Sequence, residues 1–222
     1  TLQQGPAAQF SRFGSKAMTR EQLEASHLIG KGNERLCYVH PEDPSKVIKI
    51  AYRKYRDQNE IDAIYHEYLE KKGVDLTHIN RCYGWIEIDD TRGLVFERVV
   101  NHDGSTPKTI KNMILDGDFA QADVVPYLNE LQQYLEDTKI IFADVSESNI
   151  LCCKNEHGDY RLVIIDGLGS RHLGLKFWLQ CHCPPYIHYK LWKQWTKLLY
   201  RVDVCFQRRA DAVASSGRQE GA

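Results

Sequence analysis

Residues 27–51 read HLIGKGNERLCYVHPEDPSKVIKIA. Three short apolar runs, 27–30, 36–39 and 47–51, are separated by Gly, Asn, Asp and Pro, the residues that turn a chain. The stretch therefore reads as three consecutive strands. Gly30-Lys31-Gly32 sits between the first two. Glycines there let backbone N–H groups approach a phosphate closely, and a plain hairpin turn uses the same residues. On the third strand, alternation puts Val47, Lys49 and Ala51 on one face. A lysine within an apolar strand needs an anion, unless it stands at a sheet edge facing water.

Residues 57–72 read as a helix. Ile61, Ile64, Tyr65, Tyr68 and Leu69 fall at three- and four-residue spacing, and Gly73 stands where a helix stops. Two acids on this helix compete as partners for Lys49: Glu67 and, earlier, Glu60. Runs 82–88 and 93–99 read as two more strands joined by Asp89-Asp90-Thr91-Arg92. Residues 101–107, NHDGSTP, read as a linker. The second half is mostly helical. Val124, Tyr127, Leu128, Leu131, Tyr134 and Leu135 form a helical stripe, with Asp123 as its cap. Short apolar strands follow at 149–152 and 162–165, and aromatic-rich helices dominate from Gly174.

Two segments of the second half carry acids in telling places. Residues 141–151, IFADVSESNIL, hold Asp144 and Asn149 five apart in a loop before an apolar strand. Such a loop places a carboxylate near a hydroxyl and an amide oxygen near a cation, or it simply caps its own backbone. Residues 162–167, LVIIDG, put Asp166 and Gly167 directly after four apolar residues. A carboxylate at the end of a buried strand is a natural Mg²⁺ ligand, and a strand-end turn has the same composition.

A Gly loop, a strand Lys, a helix Glu, Asp-x4-Asn and a strand-end Asp-Gly occur in the order of the protein-kinase signature set. From about Ile29 to Gly169 the sequence resembles the protein-kinase-like superfamily. More narrowly, it resembles the YrbL family, bacterial proteins named for the PhoP regulatory network and associated with magnesium-responsive regulation. Gly30-Lys31-Gly32, Arg35, Cys37-Tyr38, His40-Pro41-Glu42-Asp43-Pro44, Ile48-Lys49-Ile50 and Asn149-Ile150-Leu151-Cys152 carry that resemblance.

The resemblance implies an α+β, kinase-like bilobal fold. A small antiparallel β-rich N-lobe with one helix precedes a reduced, mostly helical C-lobe. It implies ATP and Mg²⁺ as cofactors. Gly30 and Gly32 would cover the phosphates, Val47 would line the adenine pocket, and Phe96 would be the gatekeeper. The backbones of Glu97 and Val99 would meet adenine. Lys49 would hold the α/β-phosphates, oriented by Glu67, while Asn149 and Asp166 would hold Mg²⁺. Asp144 would accept or orient the proton of an acceptor hydroxyl.

The departures from the kinase pattern bear on substrate. Arg35 stands where a third loop glycine is usual. Phe142-Ala143 replaces the His-Arg before the catalytic Asp, Ser146 replaces a Lys, and Leu168 replaces the Phe of Asp-Phe-Gly. No Ala-Pro-Glu follows, so the part of a C-lobe that binds peptides is mostly missing. The implied activity is phosphoryl transfer to a hydroxyl of a small or glycolipid-type anionic acceptor rather than to a protein. The rival readings are a pseudokinase that binds nucleotide without turnover, and a non-kinase binding domain whose motifs are chance.

Composition bounds these readings. The 222 residues carry 29 Lys+Arg and 30 Asp+Glu, a formal net charge of −1, which argues against a nucleic-acid footprint over the whole surface. Hydrophobic content of 42% and charged content of 27% suit a soluble globular protein. No run approaches the roughly 18 apolar residues of a membrane span, and residues 1–30 lack a signal-peptide pattern. Seven cysteines, an odd number with Cys152 and Cys153 adjacent, suit reduced thiols and a cytoplasmic location. Cys181-His182-Cys183 with His188 lacks zinc-site spacing and reads as buried thiols.

The domains read as a leader or flexible N-terminus at 1–19 (with Met18 near the natural start), an N-lobe at 20–100, a hinge at 101–107, a C-lobe at 108–205 and a flexible tail at 206–222. From Gly167 to Val202 there is no Asp or Glu, while Arg171, Lys176, Lys190, Lys193, Lys197 and Arg201 are present. Such a segment attracts an anionic substrate or surface. Leu191, Trp192, Trp195, Leu198, Leu199 and Val202 share a helical face opposite these lysines, the profile of a helix lying on a membrane surface. The reading preferred from sequence is a C-lobe helix with its aromatic face in the core, because a small lobe needs that apolar area.

Overall fold

The computed structural model describes residues 17–52, 56–170, 172 and 174–219. Its architecture is α+β, and the chain divides into two compact units. The first comprises the chain up to Val74 together with Asn80–Arg98; the second comprises Asp75–Ile79 and everything from Val99 onward.

The first unit is an antiparallel sheet of five strands in the order β1-β2-β3-β5-β4. β1 (Leu28–Lys31), β2 (Arg35–Val39) and β3 (Lys46–Ala51) lie within two residues of the three runs read from sequence. β4 (Cys82–Ile88) and β5 (Thr91–Glu97) form a hairpin that turns at Asp89, φ 45°. Because side chains alternate, the sheet has two apolar faces. One buries Ile48, Ile86, Ile88 and Val95 under Met18 and Leu23. The other buries Val47, Leu94 and Phe96 against Ala63 of α2 (Arg56–Lys71). Gly93 serves the first face, since a Cβ there would come within 2.5 Å of Ile48 Cγ2. As read from sequence, α2 ends just before Gly73, which takes φ 63° and donates its N–H to Glu70 O.

The leader read at 1–19 lies outside the described residues except for 17–19. Met18 and Thr19 belong to the first unit. Met18 is buried and donates its N–H to Glu87 O, and Thr19 forms a capping box with Gln22 at the start of α1 (Arg20–Glu24).

In the second unit, α3 (Ile110–Asp116), α4 (Gln121–Thr138) and α5 (Leu175–His182) pack on α6 (Pro184–Gln219), and β6 (Ile150–Lys154) pairs with β7 (Tyr160–Ile164). The stripe expected on α4 is buried at Val124, Leu128, Leu131, Tyr134 and Leu135, and Asp123 accepts the N–H of Ala120. Segment 75–79 joins this unit through β7: Ile164 donates to His78 O at 2.8 Å, and His78 Nδ1 meets Leu162 O at 2.8 Å. Tyr134 Oη adds a bond to Asp75 O at 2.7 Å. Residues 101–107 likewise lie in the second unit, since Lys154 donates to Asn101 Oδ1 and His102 donates to Lys154 O.

Two expectations change. The tail read from 206 is helical to Gln219, because its Ala and Arg residues favour helix even without an apolar stripe. Arg209 ties it back, donating to Phe119 O at 3.1 Å and lying against Gly117. The face read on α6 is only partly in the core. Leu191, Leu198 and Val202 are buried, but Trp192 is 67% and Tyr200 69% exposed.

Candidate functional site

Residues singled out in the first unit lie on the sheet face covered by α2. Register pairs Cys37, Lys49 and Leu94 side by side across β2, β3 and β5. Lys49 is 6% exposed, so burying its ammonium demands compensation. Its Nζ lies 4.4 Å from the centroid of the Phe96 ring, whose other contacts include the edge of His66 at 5.3 Å. Val47, the expected adenine-pocket residue, packs with Ala63, Leu94 and Phe96. Glu97 donates its N–H to Arg81 O at 2.8 Å, and Val99 opens the second unit.

The expected acid for Lys49 lies elsewhere. Glu67, half-buried, pairs with the exposed Lys71 at 2.6 Å, and Glu60 pairs with Arg92 at 2.6 Å. The acid buried against the sheet is Asp62. It bonds Arg35, whose Nη1 also donates to Asn59 Oδ1 at 3.1 Å. Asn59 Nδ2 in turn donates to the Lys49 carbonyl at 2.9 Å. Arg35, Asn59 and Asp62 thus lock the helix to β2 and β3. The Cys82 thiol is pushed up to about 12, mainly by burial and in part by the nearby Asp62 charge, against the opposing Gly84 backbone hydrogen bond and Lys49 charge. Sequence reading missed this network. Its signal was three polar residues, Asn59, Asp62 and His66, at helical spacing on the helix face that also carries Ala63 and Leu69.

The glycine turn is a tight hairpin. Gly32 donates its N–H to Arg35 O at 2.9 Å, and Gly30 sits at a bulge opposite Cys37. The Gly32 N–H is therefore used within the turn. Arg35, standing where a third glycine is usual, is the buried anchor of β2 rather than part of the loop.

In the second unit the acidic motifs converge. Residues 141–144 and 167–169 run antiparallel: Asp144 donates to Gly167 O at 2.9 Å, Gly169 donates to Ile141 O at 2.8 Å, and Phe142 bridges Leu168. A 3-10 turn, Glu147–Asn149, then swings Asn149 back under this ladder. Asn149 Nδ2 donates to Asp144 O at 3.3 Å, and Ile165 donates to Asn149 O at 2.9 Å. Donation from Nδ2 turns the amide oxygen of Asn149 away from the Asp144 carbonyl. Asp166 Oδ1 accepts the N–H of Gly167 at 2.7 Å.

Gly167 makes the approach possible. Its φ is 82°, and a Cβ would lie 2.8 Å from Asp144 O, 3.0 Å from Asp144 Cβ and 3.3 Å from Asn149 Nδ2. A carboxylate and a side-chain amide oxygen are the hard donors that Mg²⁺ takes alongside phosphate oxygens, so this set fits that ion. Among the described residues no three His, Cys, Asp or Glu side chains form a metal cage, Cys181, His182, Cys183 and His188 included.

Glu147 braces the same loop. It is 5% exposed and accepts Arg201 Nε of α6 at 2.5 Å. Burial pushes its carboxyl up. The Arg201 hydrogen bond, its own backbone N–H and the charges of Arg201 and Lys111 outweigh that and hold it below the usual carboxylate value.

Among the described residues no helix is long and apolar enough to cross a membrane. The sequence profile described as PhoP regulatory network protein YrbL matches residues 22–203. YrbL of Escherichia coli (strain K12) and YrbL of Shigella flexneri are each 29% identical to the chain over 168 residues, 73% of this chain and 80% of theirs. The match reaches into both units and covers the site residues from Gly30 to Arg201, and the chain belongs to the family of PhoP regulatory network protein YrbL.

Proposed function

We propose that the protein is an ATP- and Mg²⁺-dependent phosphotransferase with a kinase-like fold. It acts on a hydroxyl of a small or glycolipid-type anionic acceptor within a magnesium-responsive network. The observation that carries this reading is the cradle of Asp144, Asn149 and Gly167, closed by the Asp144 N–H donating to Gly167 O at 2.9 Å and by Asn149 Nδ2 donating to Asp144 O at 3.3 Å. Its support is that the backbones bearing Asp144 and Gly167 are bonded to each other, with Asp166 next in the chain and Asn149 reaching the Asp144 carbonyl. Lys49, buried on the third strand of a sheet covered by one helix, supports it independently.

Bound ATP supplies the transferable phosphoryl group, and Mg²⁺ neutralises charge on its oxygens. The chain's own task is positioning and charge. Asn149 and Asp166 hold the metal, Lys49 holds phosphate oxygens, and Asp144 orients the acceptor hydroxyl and takes its proton. Asp62, rather than Glu67, is the helix acid that positions the strand carrying Lys49, through Arg35 and Asn59.

A second reading, nucleotide binding without turnover, has its own support. The Gly32 N–H is bonded within its hairpin, and Glu67 is committed to Lys71. One experiment separates the readings. In a thermal-shift titration, ligand that binds only the folded state raises stability by RT ln(1 + [L]/Kd). A Mg²⁺-dependent shift with ATP that is lost in Asp166→Ala supports the nucleotide site. ATP hydrolysis or phosphate transfer to anionic sugars that is lost in Asp144→Asn then supports turnover. A shift without any transfer favours the second reading, and no shift at millimolar ATP refutes both.

A further inference from the structure

The C-terminal helix α6 has two apolar sides, and the fold uses one of them. Ile187, Leu191, Leu198, Val202 and Cys205 are buried. On the opposite side Tyr189, Trp192, Leu199 and Tyr200 are 51%, 67%, 44% and 69% exposed. Tyr189 and Trp192 lean on one another, ring centroids 6.5 Å apart. Single exposed apolar residues are ordinary on a protein surface, but four on one helix face form a patch.

The charge flanking this patch is mainly basic, with Asp203, about one turn beyond Leu199 and Tyr200 and bonded to Gln207, as the acid at its C-terminal end. Lys190, Lys193 and Lys197 flank it along the helix, and none has an acidic partner among the described residues. Lys193 Nζ sits 5.8 Å from the Tyr189 ring centroid. No Asp or Glu occurs from Gly167 to Val202, so nothing on the preceding helix α5 reverses the charge. That helix adds Leu175 and Trp178, 74% and 55% exposed, and the exposed Lys176.

We propose that this face of α6 is a docking surface for an anionic lipid membrane. Indole and phenol rings with an apolar body and a polar tip settle at the headgroup level, and lysine stems reach past them to lipid phosphates. A convex single-helix face lies on a plane. It lacks the groove that tracks a nucleic-acid strand, so the combination of rings and lysines favours a bilayer over RNA or single-stranded DNA. The helix lies on the surface and does not cross it, in keeping with its alternating lysines. This inference does not depend on the activity proposed above.

The full-length chain would be sedimented with vesicles of phosphatidylcholine alone and of phosphatidylcholine mixed with phosphatidylglycerol, at physiological ionic strength. Three lysines near an anionic surface predict about a hundredfold preference for the anionic vesicles. Lys190→Glu/Lys193→Glu/Lys197→Glu and, separately, Trp192→Ser/Tyr200→Ser are expected to abolish binding. All five side chains lie outside the buried side of α6, so both variants should melt as the wild type does. Leu198→Ala, at a fully buried position, serves as the contrasting variant that lowers the melting temperature.

Absence of binding to either vesicle, equal binding to both, or binding unchanged in the two variants would overturn the proposal. A concentration-dependent dimer in sedimentation velocity, lost in Trp192→Ser/Tyr200→Ser with no vesicle binding, would also overturn it and assign the face to a second copy of the chain.

Discussion

Replacing Asp62 by Ala tests which acid of α2 matters. In the fold, the Arg35 and Asp62 side chains are 7% and 6% exposed, so Asp62→Ala leaves a buried guanidinium without its acid, with Asn59 Oδ1 still accepting from Nη1. Breaking a buried pair from one side costs about 3–5 kcal/mol. Glu67 and Lys71, by contrast, are 19% and 73% exposed, and an i,i+4 pair of that kind contributes about 0.3–0.5 kcal/mol. For a chain of this size each kcal/mol moves the melting temperature by about 2–4 °C, so Asp62→Ala should lower it by roughly 10 °C. Glu67→Ala should move it by no more than about 2 °C. Removing both buried charges, as in Arg35→Met/Asp62→Leu, should recover most of the loss, because two well-packed apolar side chains replace the pair without an orphaned ion. The assay is urea and thermal unfolding followed by circular dichroism, with ATP affinity measured in parallel. The reasoning is refuted if Asp62→Ala melts within about 1 kcal/mol of wild type, or if Glu67→Ala is as damaging as Asp62→Ala.

Gly167→Ala should both destabilise the fold and weaken Mg²⁺-dependent ATP binding. It forces a side chain into φ 82°, at about 1–2 kcal/mol, and drives a Cβ to 2.8 Å from Asp144 O. Gly73→Ala carries a similar backbone penalty at φ 63° with nothing within 4 Å, so melts and ATP titrations showing equal effects for the two would contradict the cradle. The Glu147 carboxyl is held below its unfolded value near 4.5, so the stability it contributes is present above that value and is lost as pH falls through the lower folded one. Glu147→Gln should therefore lower the melting temperature near neutral pH and flatten the decline below pH 4.5; parallel profiles for mutant and wild type would exclude the Glu147–Arg201 brace.

Much of this protein is written locally. Turn residues at Gly30-Lys31-Gly32 and His40–Pro44 and alternation in β3 determine the first hairpins, because strand pairing across a short turn needs only neighbours in sequence. Three- and four-residue spacing marks α2 and α4, and Gly73 marks a helix end, for the same reason. The motifs around Asp144, Asn149 and Asp166 were visible as residue types at fixed spacing, although their convergence was not.

Tertiary structure alone decided the rest. Which acid on α2 is buried depends on the helix's rotation against the sheet: the two positions lie about 140° apart around the helix, which turns Asp62 to Arg35 and leaves Glu67 half-buried beside Lys71. Segment 75–79 belongs to the second unit through bonds to β7, some 85 residues away in sequence, which no local pattern encodes. The same holds for α6. Its sequence shows that apolar residues occupy more than one side, but the core has room for one. Packing selected Leu191, Leu198 and Val202, and left Trp192 and Tyr200 in water.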